Sequence, residues 1–142
     1  MSSTKTPTFS TYGGYGQQLL QQMGYNQAVR IGDRIETAGQ GGWNPETGEI
    51  PASLDEEIDQ AFSNVDLALR SAGGKGWSQV YRIRLYALEP EGFTEEGLHR
   101  MVQNMDKWCG KRPILTGVGV SKLGQPGMRF EIEVAAYAPE EE

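Results

Sequence analysis

The sequence predicts an α+β domain in which two helices cover one face of a mixed β-sheet. Several short segments alternate apolar and polar residues with the period of two that is typical of β-strands. Two longer segments repeat their apolar residues every three or four positions, as amphipathic helices do. Turns that contain Gly or Pro separate these segments. The elements follow the order ββαβαββ, and 142 residues are enough for one domain with one core.

The first 24 residues differ in composition from the rest. Residues 1–24 are polar and rich in Gly and Gln, which favours a flexible N-terminal arm. Residues 25–142 are predicted to form the single domain. Its predicted elements are hairpin strands over residues 27–31 and 34–38, a helix between Ser53 and Gly73, a strand over residues 80–88, a helix from Thr94 to Gly110, and strands over residues 114–121 and 128–138.

Local signals set the helix boundaries. Ser53 and Glu56 match a capping box, in which the Ser hydroxyl accepts a hydrogen bond from a free N–H of the first turn. Gly73 ends that helix, because glycine adopts the left-handed conformation found after many helices. Glu95 and Glu96 lie in the first turn of the second helix, where the helix dipole favours negative charge.

The sheet is expected to have one covered and one open face. Alternation places Leu115, Gly117 and Gly119 on the open face together with Glu131 and Glu133. Small residues beside carboxylates do not form a second apolar core. This face is therefore either solvated or buried against another subunit.

Composition excludes several classes of protein. The net charge of −6 disfavours general binding to nucleic acid, and we expect no such partner. One cysteine cannot form an intrachain disulfide, and with one histidine it makes no metal cluster, so neither metal nor cofactor is expected. The chain shows no signal peptide and no apolar run that could span a membrane. It is typical of a cytoplasmic protein, and an organellar location is also compatible.

Three segments resemble the RidA/YjgF family, also called the L-PSP endoribonuclease family. The resemblance extends over about residues 25–137. Its motifs are Gly39-Gln40 followed by the loop Asn44-Pro45-Glu46-Thr47-Gly48-Glu49-Ile50-Pro51, Asn64-Val65 with the later Ala72-Gly73, and Val118-Gly119-Val120-Ser121-Lys122-Leu123 followed by Phe130-Glu131-Ile132-Glu133-Val134-Ala135-Ala136. Each motif is weak alone, and their order in the chain is more specific.

The resemblance implies a chorismate-mutase-like fold assembled as a homotrimer, with small-molecule clefts between subunits. In active members of this family, water hydrolyses an enamine or imine to ammonia and a 2-oxo acid. An arginine holds the substrate carboxylate, which suits the two-pronged geometry of a guanidinium. A glutamate on the last strand positions the water, and a tyrosine before the first strand lines the cleft.

Only some of these functional residues have a counterpart in this chain. Tyr25 matches the tyrosine, and Glu133 is assigned to the catalytic glutamate. Leu115 stands where the family has its arginine, and an aliphatic side chain cannot hold a carboxylate. Ala38 stands where active members often have serine. Deamination of 2-aminoacrylate is therefore not expected, and the chain resembles a subgroup that lacks the arginine.

Other residues complete the predicted site, each beside a structural alternative. Gly39, Gln40 and Thr116 are assigned to substrate binding from their places in the family motifs. Trp43 either stacks on a ligand or packs in the interior. The alternative for Glu133 is a sheet-face carboxylate paired with an arginine of a neighbouring subunit, and Glu131, on the same face, either shares a site with it or is a solvated or paired glutamate.

Three arginines are candidates to replace the missing one. Arg84 or Arg82 would reach the ligand from another strand, unless it pairs with Glu131 or Glu133. Arg112 lies three residues before Leu115 and is expected at the surface. Two further reactive side chains are given structural roles, His99 as an exposed helix residue and Cys109 as a buried, inert thiol.

Two functions of different class fit these residues. The first is an enzyme that hydrolyses a small imine or enamine at an intersubunit cleft, with Glu133 positioning water and Tyr25 shaping the pocket. The second is a non-catalytic trimer that binds a metabolite or a protein. A ribonuclease is disfavoured, because the chain is acidic and has one histidine for acid–base chemistry.

Overall fold

A mixed β-sheet organises the chain in a computed structural model, which describes residues 6–140. The elements are β1 (Thr8–Ser10), α1 (Tyr15–Met23), β2 (Ala28–Ile31), β3 (Arg34–Thr37), β4 (Gln40–Gly41), α2 (Leu54–Ser71), a 3-10 helix (Gly76–Gln79), β5 (Val80–Leu88), α3 (Glu95–Trp108), β6 (Ile114–Val120) and β7 (Phe130–Tyr137). The predicted α+β class is confirmed. The predicted order corresponds to β2, β3, α2, β5, α3, β6 and β7, to which the structure adds β1, α1 and β4.

The N-terminal segment is packed into the domain from residue 8, in contrast to the predicted flexible arm over residues 1–24. Strand β1 pairs with β2, and the side chains of Tyr12, Tyr15 and Leu19 are buried. Tyr15 and Leu19 are four residues apart in α1 and therefore lie on one side of that helix. The surrounding Gly and Gln hid this pattern in the composition. Residues 1–5 of the predicted arm lie outside the described residues.

The order of strands puts β6 at one edge of the sheet. Neighbouring strands follow the path β1-β2-β3-β7-β5-β6, and the short β4 also pairs with β7. The β5–β6 pair is parallel, and the other pairs within residues 6–140 are antiparallel. The parallel pairing follows from the connection through α3, because parallel strands require a long crossover.

Side-chain caps fix the starts of both long helices. Ser53 Oγ accepts a hydrogen bond from the Glu56 N–H at 3.2 Å, and Thr94 Oγ1 accepts one from the Gly97 N–H at 3.0 Å. Each bond satisfies one of the backbone donors that a helix leaves free at its N-terminus. Both helix starts therefore agree with the prediction from sequence.

One large core lies between the helices and one face of the sheet. The apolar stripe of α2 is fully buried there against alternate residues of β5 and β7. The principal members are Ile58, Phe62, Val65 and Leu69 from α2, Met101 and Met105 from α3, and Ile83, Leu85, Ile132 and Val134 from the sheet. The opposite face of the sheet is covered by no helix in the described part of the chain, and we call it the open face.

Strand β6 faces the opposite way from the prediction. In the parallel register Leu115 lies beside Ile83 and Gly117 beside Leu85, so these residues point to the helix side. Thr116 lies beside Arg84 on the open face. Both rows of β6 are small or apolar, so alternation alone could not tell which row faces the helices. Pairing with β5 decides it, since a shift of one residue inverts every side chain.

A buried carboxylate joins α2 to the start of β7. Glu57 is fully buried and accepts hydrogen bonds from the backbone N–H of Arg129 at 2.6 Å and of Phe130 at 3.2 Å. Its other oxygen accepts from Arg129 Nε at 2.7 Å. Arg129 Nη2 donates to the carbonyls of Pro51 and Ala52. This contact fixes where β7 begins, and with it the position of the next carboxylates along that strand.

Among residues 6–140, no helix combines the length and the apolar character needed to cross a membrane.

Candidate functional site

A groove of about 460 Å³ opens on the sheet beside Tyr25. Its lining residues are Phe9, Gly24, Tyr25, Asn26, Ala28, Val29, Glu36, Thr37 and Ala38. Tyr25 lies just before β2, and Ala38 lies just after β3. The antiparallel pairing of β2 with β3 therefore brings the two predicted cleft positions to the same end of the hairpin.

The Glu131 carboxylate lies against Gly39 at this end of the sheet. A β-carbon at position 39 would lie 2.2 Å from Glu131 Oε2, so only glycine leaves room for the carboxylate. Burial and the neighbouring charge of Glu133 raise the pKa of Glu131 above its ordinary value. Burial also raises the pKa of Tyr25, and the charge of Glu131 adds to that effect. Glu131 and Tyr25 are thus electrostatic neighbours.

Glu133 is engaged elsewhere on the open face. It accepts a hydrogen bond from the Tyr86 hydroxyl, and its Oε2 lies 3.9 Å from Arg84 Nη1. The hydrogen bond to Glu133 is also the main cause of the raised pKa of Tyr86. The contact with Arg84 lies within one chain and is the alternative stated above for that arginine, a pairing with Glu133. The catalytic role assigned to it from sequence stays a prediction.

Gln40 and Trp43 are buried and offer no surface to a ligand. Trp43 is 3% exposed, and its ring meets that of Tyr15 edge-on at 5.4 Å between centroids. Gln40 is fully buried and bonded to Tyr12 and Gln27. The structure therefore places Trp43 in a packing contact rather than in a wall of the groove. A Gly-rich loop with one tryptophan is compatible with both arrangements in sequence.

Arg84, Leu115 and Thr116 lie toward the opposite edge of the sheet from the groove. Strands β7 and β5 separate β6 from β3. Leu115 is 38% exposed and belongs to the helix-facing row of the edge strand. Within one chain the predicted site residues thus form two separate groups, one around Tyr25 and Gly39 and one on β5 and β6.

The remaining reactive side chains have structural surroundings. Arg112 makes two hydrogen bonds to Asp106, each at 3.0 Å, on the exposed end of α3. His99 is exposed on the same helix. Cys109 is buried, and burial raises the pKa of its thiol to about 11, which keeps it protonated and unreactive. These placements agree with the expectations from sequence.

The residue that sequence undervalued is Glu131. Alternation places it on the same face as Glu133, so alternation does not separate the two, and the family glutamate was assigned to Glu133. The difference arises from β4, which sets Gly41 opposite Glu131 and carries Gly39 to its side. The one available signal was the Gly39-Gln40-Gly41 segment, whose missing side chain at position 39 leaves space for another group.

Comparison with known proteins identifies relatives of this chain. The sequence model of the family described as Endoribonuclease L-PSP matches residues 16–138. A RutC family protein of Aquifex aeolicus is 32% identical over 112 residues, which cover 79% of this chain and 86% of that protein. The 2-iminobutanoate/2-iminopropanoate deaminase of Escherichia coli K12 is 41% identical over 51 residues, 36% of this chain and 40% of the deaminase.

A solved structure extends the similarity to the whole fold. The crystal structure of a member of the YjgF/YER057c/UK114 family from Mycobacterium tuberculosis superimposes with a TM-score of 0.73 at 27% identity. The match covers 94% of this chain and 100% of that one.

Proposed function

Because this chain belongs to the Endoribonuclease L-PSP family, also named RidA/YjgF, we propose that it hydrolyses a small imine or enamine in clefts between the subunits of a homotrimer. The observation that carries this proposal is the carboxylate of Glu131 beside Gly39 and the Tyr25 phenol at the edge of an open groove. The partial similarity to an imine deaminase supports the same class of substrate.

The chemistry requires a group that moves two protons in turn. Water adds to the C=N bond to give a carbinolamine, and in the proposed mechanism Glu131 takes one proton from the water and delivers it to the nitrogen. Glu131 then takes the proton of the carbinolamine hydroxyl and delivers it to the nitrogen as the C–N bond breaks, which leaves a carbonyl compound and ammonia. A carboxyl group whose pKa is raised toward neutrality is suited to both steps, because it exchanges protons readily near the working pH. Tyr25 donates a hydrogen bond to an oxygen of the substrate.

Strand β6 supports the proposed trimer. It is an edge strand, and Ile114, Leu115 and Val118 on it are 66%, 38% and 41% exposed. A long apolar edge strand pairs readily with another chain unless it is covered. Each chain also holds the predicted site as two groups that lie apart. An assembly in which β6 of one subunit lies over the groove of the next would cover the apolar strand and complete the site.

The missing arginine limits the proposed substrates. Residues 114–120 carry no charged side chain, and Leu115 stands at the arginine's place in the family motif. We therefore expect the preferred substrate to lack a carboxylate beside the imine. The alternative anchor is Arg84, which lies beside Thr116 on the open face and keeps about half of its side chain exposed.

The test is ammonia release from 2-aminoacrylate and from imines without a carboxylate, measured for the wild type, Glu131→Gln and Leu115→Arg. We expect the wild type to act on the uncharged imines and Glu131→Gln to lose that activity. Leu115→Arg should gain about 10- to 100-fold on 2-aminoacrylate, because a charge-assisted hydrogen bond stabilises by about 1.5–3 kcal/mol. A wild type that releases no ammonia from any of these substrates, with no gain in Leu115→Arg, would reject the proposal.

The uncharged β6 also favours a second candidate, a non-catalytic trimer that binds a metabolite or a protein. A ligand that binds the folded state raises the melting temperature by mass action. A metabolite mixture that raises the melting temperature and is recovered unchanged would support this function over hydrolysis.

A further inference from the structure

A chain of buried hydrogen bonds runs behind the groove. Trp43 Nε1 donates to the Tyr12 hydroxyl at 3.0 Å, and the Tyr12 hydroxyl donates to Gln40 Oε1 at 2.7 Å. Gln40 Nε2 then donates to Gln27 Oε1 at 2.6 Å. Gln27 and Gln40 are fully buried, and Tyr12 and Trp43 are 8% and 3% exposed. We call these four side chains the relay.

The chemistry of its first member gives the relay a direction. An indole N–H can only donate a hydrogen bond, so the Tyr12 oxygen accepts from Trp43. The Tyr12 hydroxyl then donates its one hydrogen atom in a hydrogen bond to Gln40. This fixes the Gln40 amide with its oxygen toward Tyr12 and its nitrogen toward Gln27. Gln27 must then present its oxygen to Gln40 and turn its nitrogen away. The sequence of donors therefore determines the orientation of both amides.

The relay ends in a donor without a partner. Among the described residues, Gln27 Nε2 has no hydrogen-bond acceptor, although Gln27 is fully buried. A buried donor without an acceptor destabilises a protein, and such groups recur at functional sites. The residues on either side, Asn26 and Ala28, line the groove, as does Ala38, whose N–H donates to the Gln27 carbonyl. Gln27 thus lies directly behind the groove.

The Tyr25 phenol lines the groove two residues before Gln27 in the chain. Burial raises the pKa of Tyr25, and the Gln27 side chain opposes that effect by lowering it. An amide nitrogen offers only hydrogen atoms, so the phenol can meet it only with an oxygen lone pair. The one phenol proton must then point away from Gln27. Hydrogen bonds of this kind are often long before the ligand binds and shorten in the complex.

We propose that Gln27 is a positioning residue, held by the relay so that its amide nitrogen donates to the Tyr25 oxygen and directs the Tyr25 proton toward the groove. The group that receives this hydrogen bond is an acceptor oxygen of the ligand, such as the carbonyl oxygen that forms when the imine is hydrolysed. The inference rests on the proposed function for the claim that Tyr25 contacts the ligand. The link between Gln27 and Tyr25 does not depend on it.

Titration of Tyr25 tests that link. The phenol carbons of all tyrosines are labelled with carbon-13, Tyr25 is assigned with Tyr25→Phe, and the protein is followed from about pH 8 to about pH 12. A donated hydrogen bond stabilises the phenolate, so Gln27→Met should raise the Tyr25 pKa by about one unit. Gln22→Met, which changes an exposed residue of α1, is the matched control and should leave that pKa unchanged. A folded Gln27→Met protein with an unchanged Tyr25 pKa would overturn the proposal.

A second measurement covers the case in which Gln27→Met does not fold. Tyr25→Phe removes the phenol oxygen and leaves the relay intact. The side-chain amide protons of Gln27, observed in nitrogen-15-labelled protein, should then shift and exchange with water about tenfold faster. Unchanged shifts and exchange would contradict the link.

Both measurements use the protein without substrate, so their outcome is independent of imine hydrolysis. Failure of the ammonia assay together with a shifted Tyr25 pKa would reject the proposed function and keep the positioning role. Ammonia release together with an unshifted Tyr25 pKa would keep the proposed function and reject the positioning role.

Discussion

The carboxylate of Glu131 occupies the space that a side chain at position 39 would fill. Its oxygen would lie 2.2 Å from a β-carbon there, well inside van der Waals contact. The absence of a side chain at position 39 therefore determines where the charge of Glu131 lies.

Gly39→Ala should displace the Glu131 carboxylate and lower kcat/KM at least about tenfold, because misplaced catalytic groups lose efficiency steeply. The free energy of unfolding should stay close to that of the wild type. Gly110→Ala is the matched control, since a β-carbon at position 110 meets nothing within 4 Å. Equal activity of the two variants would show that the position of Glu131 is irrelevant to turnover.

The pH dependence of activity follows from the pKa of Glu131. That pKa lies above the ordinary 4.5 because of burial and the charge of Glu133, and the base must be ionised. Activity should therefore fall as the pH drops through the raised value. Glu133→Gln removes one cause of the shift, so the acid limb of the kcat/KM profile should move to lower pH while activity persists. If Glu133→Gln abolishes activity and Glu131→Gln does not, the two roles are reversed.

The same shift affects stability. A raised carboxyl pKa means that the folded state disfavours the carboxylate, so the resulting stabilisation is present below pH 4.5 and lost as the pH rises through the folded pKa. Glu131→Gln should accordingly be inactive and no less stable than the wild type at neutral pH. Chemical denaturation at neutral and acidic pH measures this difference. A clear loss of stability at neutral pH would instead assign Glu131 a structural role.

At the scale of elements, the contact between Glu57 and Arg129 sets where β7 begins. Glu57→Ala should lower the free energy of unfolding by about 3–5 kcal/mol, because it leaves Arg129 Nε and the backbone N–H groups of Arg129 and Phe130 without their acceptor. Arg112→Ala removes the exposed pair with Asp106, in which the side chains are 65% and 54% exposed. That control should change stability by less than about 1 kcal/mol. Urea denaturation compares the two, and similar losses would contradict the assignment.

At the scale of the whole molecule, the sheet order separates the two halves of the predicted site. If β6 of one subunit completes the groove of the next, Val118→Lys should reduce the mass in solution about threefold and abolish imine hydrolysis. Val118 is 41% exposed on the edge strand, and Leu67, 37% exposed on α2, provides the control Leu67→Lys. Sedimentation measures the mass. A wild type that sediments as a monomer, or a Val118→Lys variant that stays assembled and active, would refute the intersubunit cleft.

Local patterns in the sequence were sufficient for much of this fold. The caps at Ser53 and Thr94 and the alternation along β5 and β7 depend on residues close in the chain, and the structure confirms them. The N-terminal segment was misjudged, because its few buried residues lie within a polar composition. Such residues are identified as core only when the sheet they pack beside is known.

The candidate site shows where sequence reasoning stops. Tyr25 was assigned from the family motif, and the structure places it at the groove. The choice between Glu131 and Glu133, the direction of Leu115 and the burial of Trp43 each depend on contacts between residues far apart in the chain. Sequence determined which side chains are present and which of the two long helices and five main strands carry many of them. Tertiary structure decided which of them meet, because strand register and burial follow from long-range pairing that local periodicity does not encode.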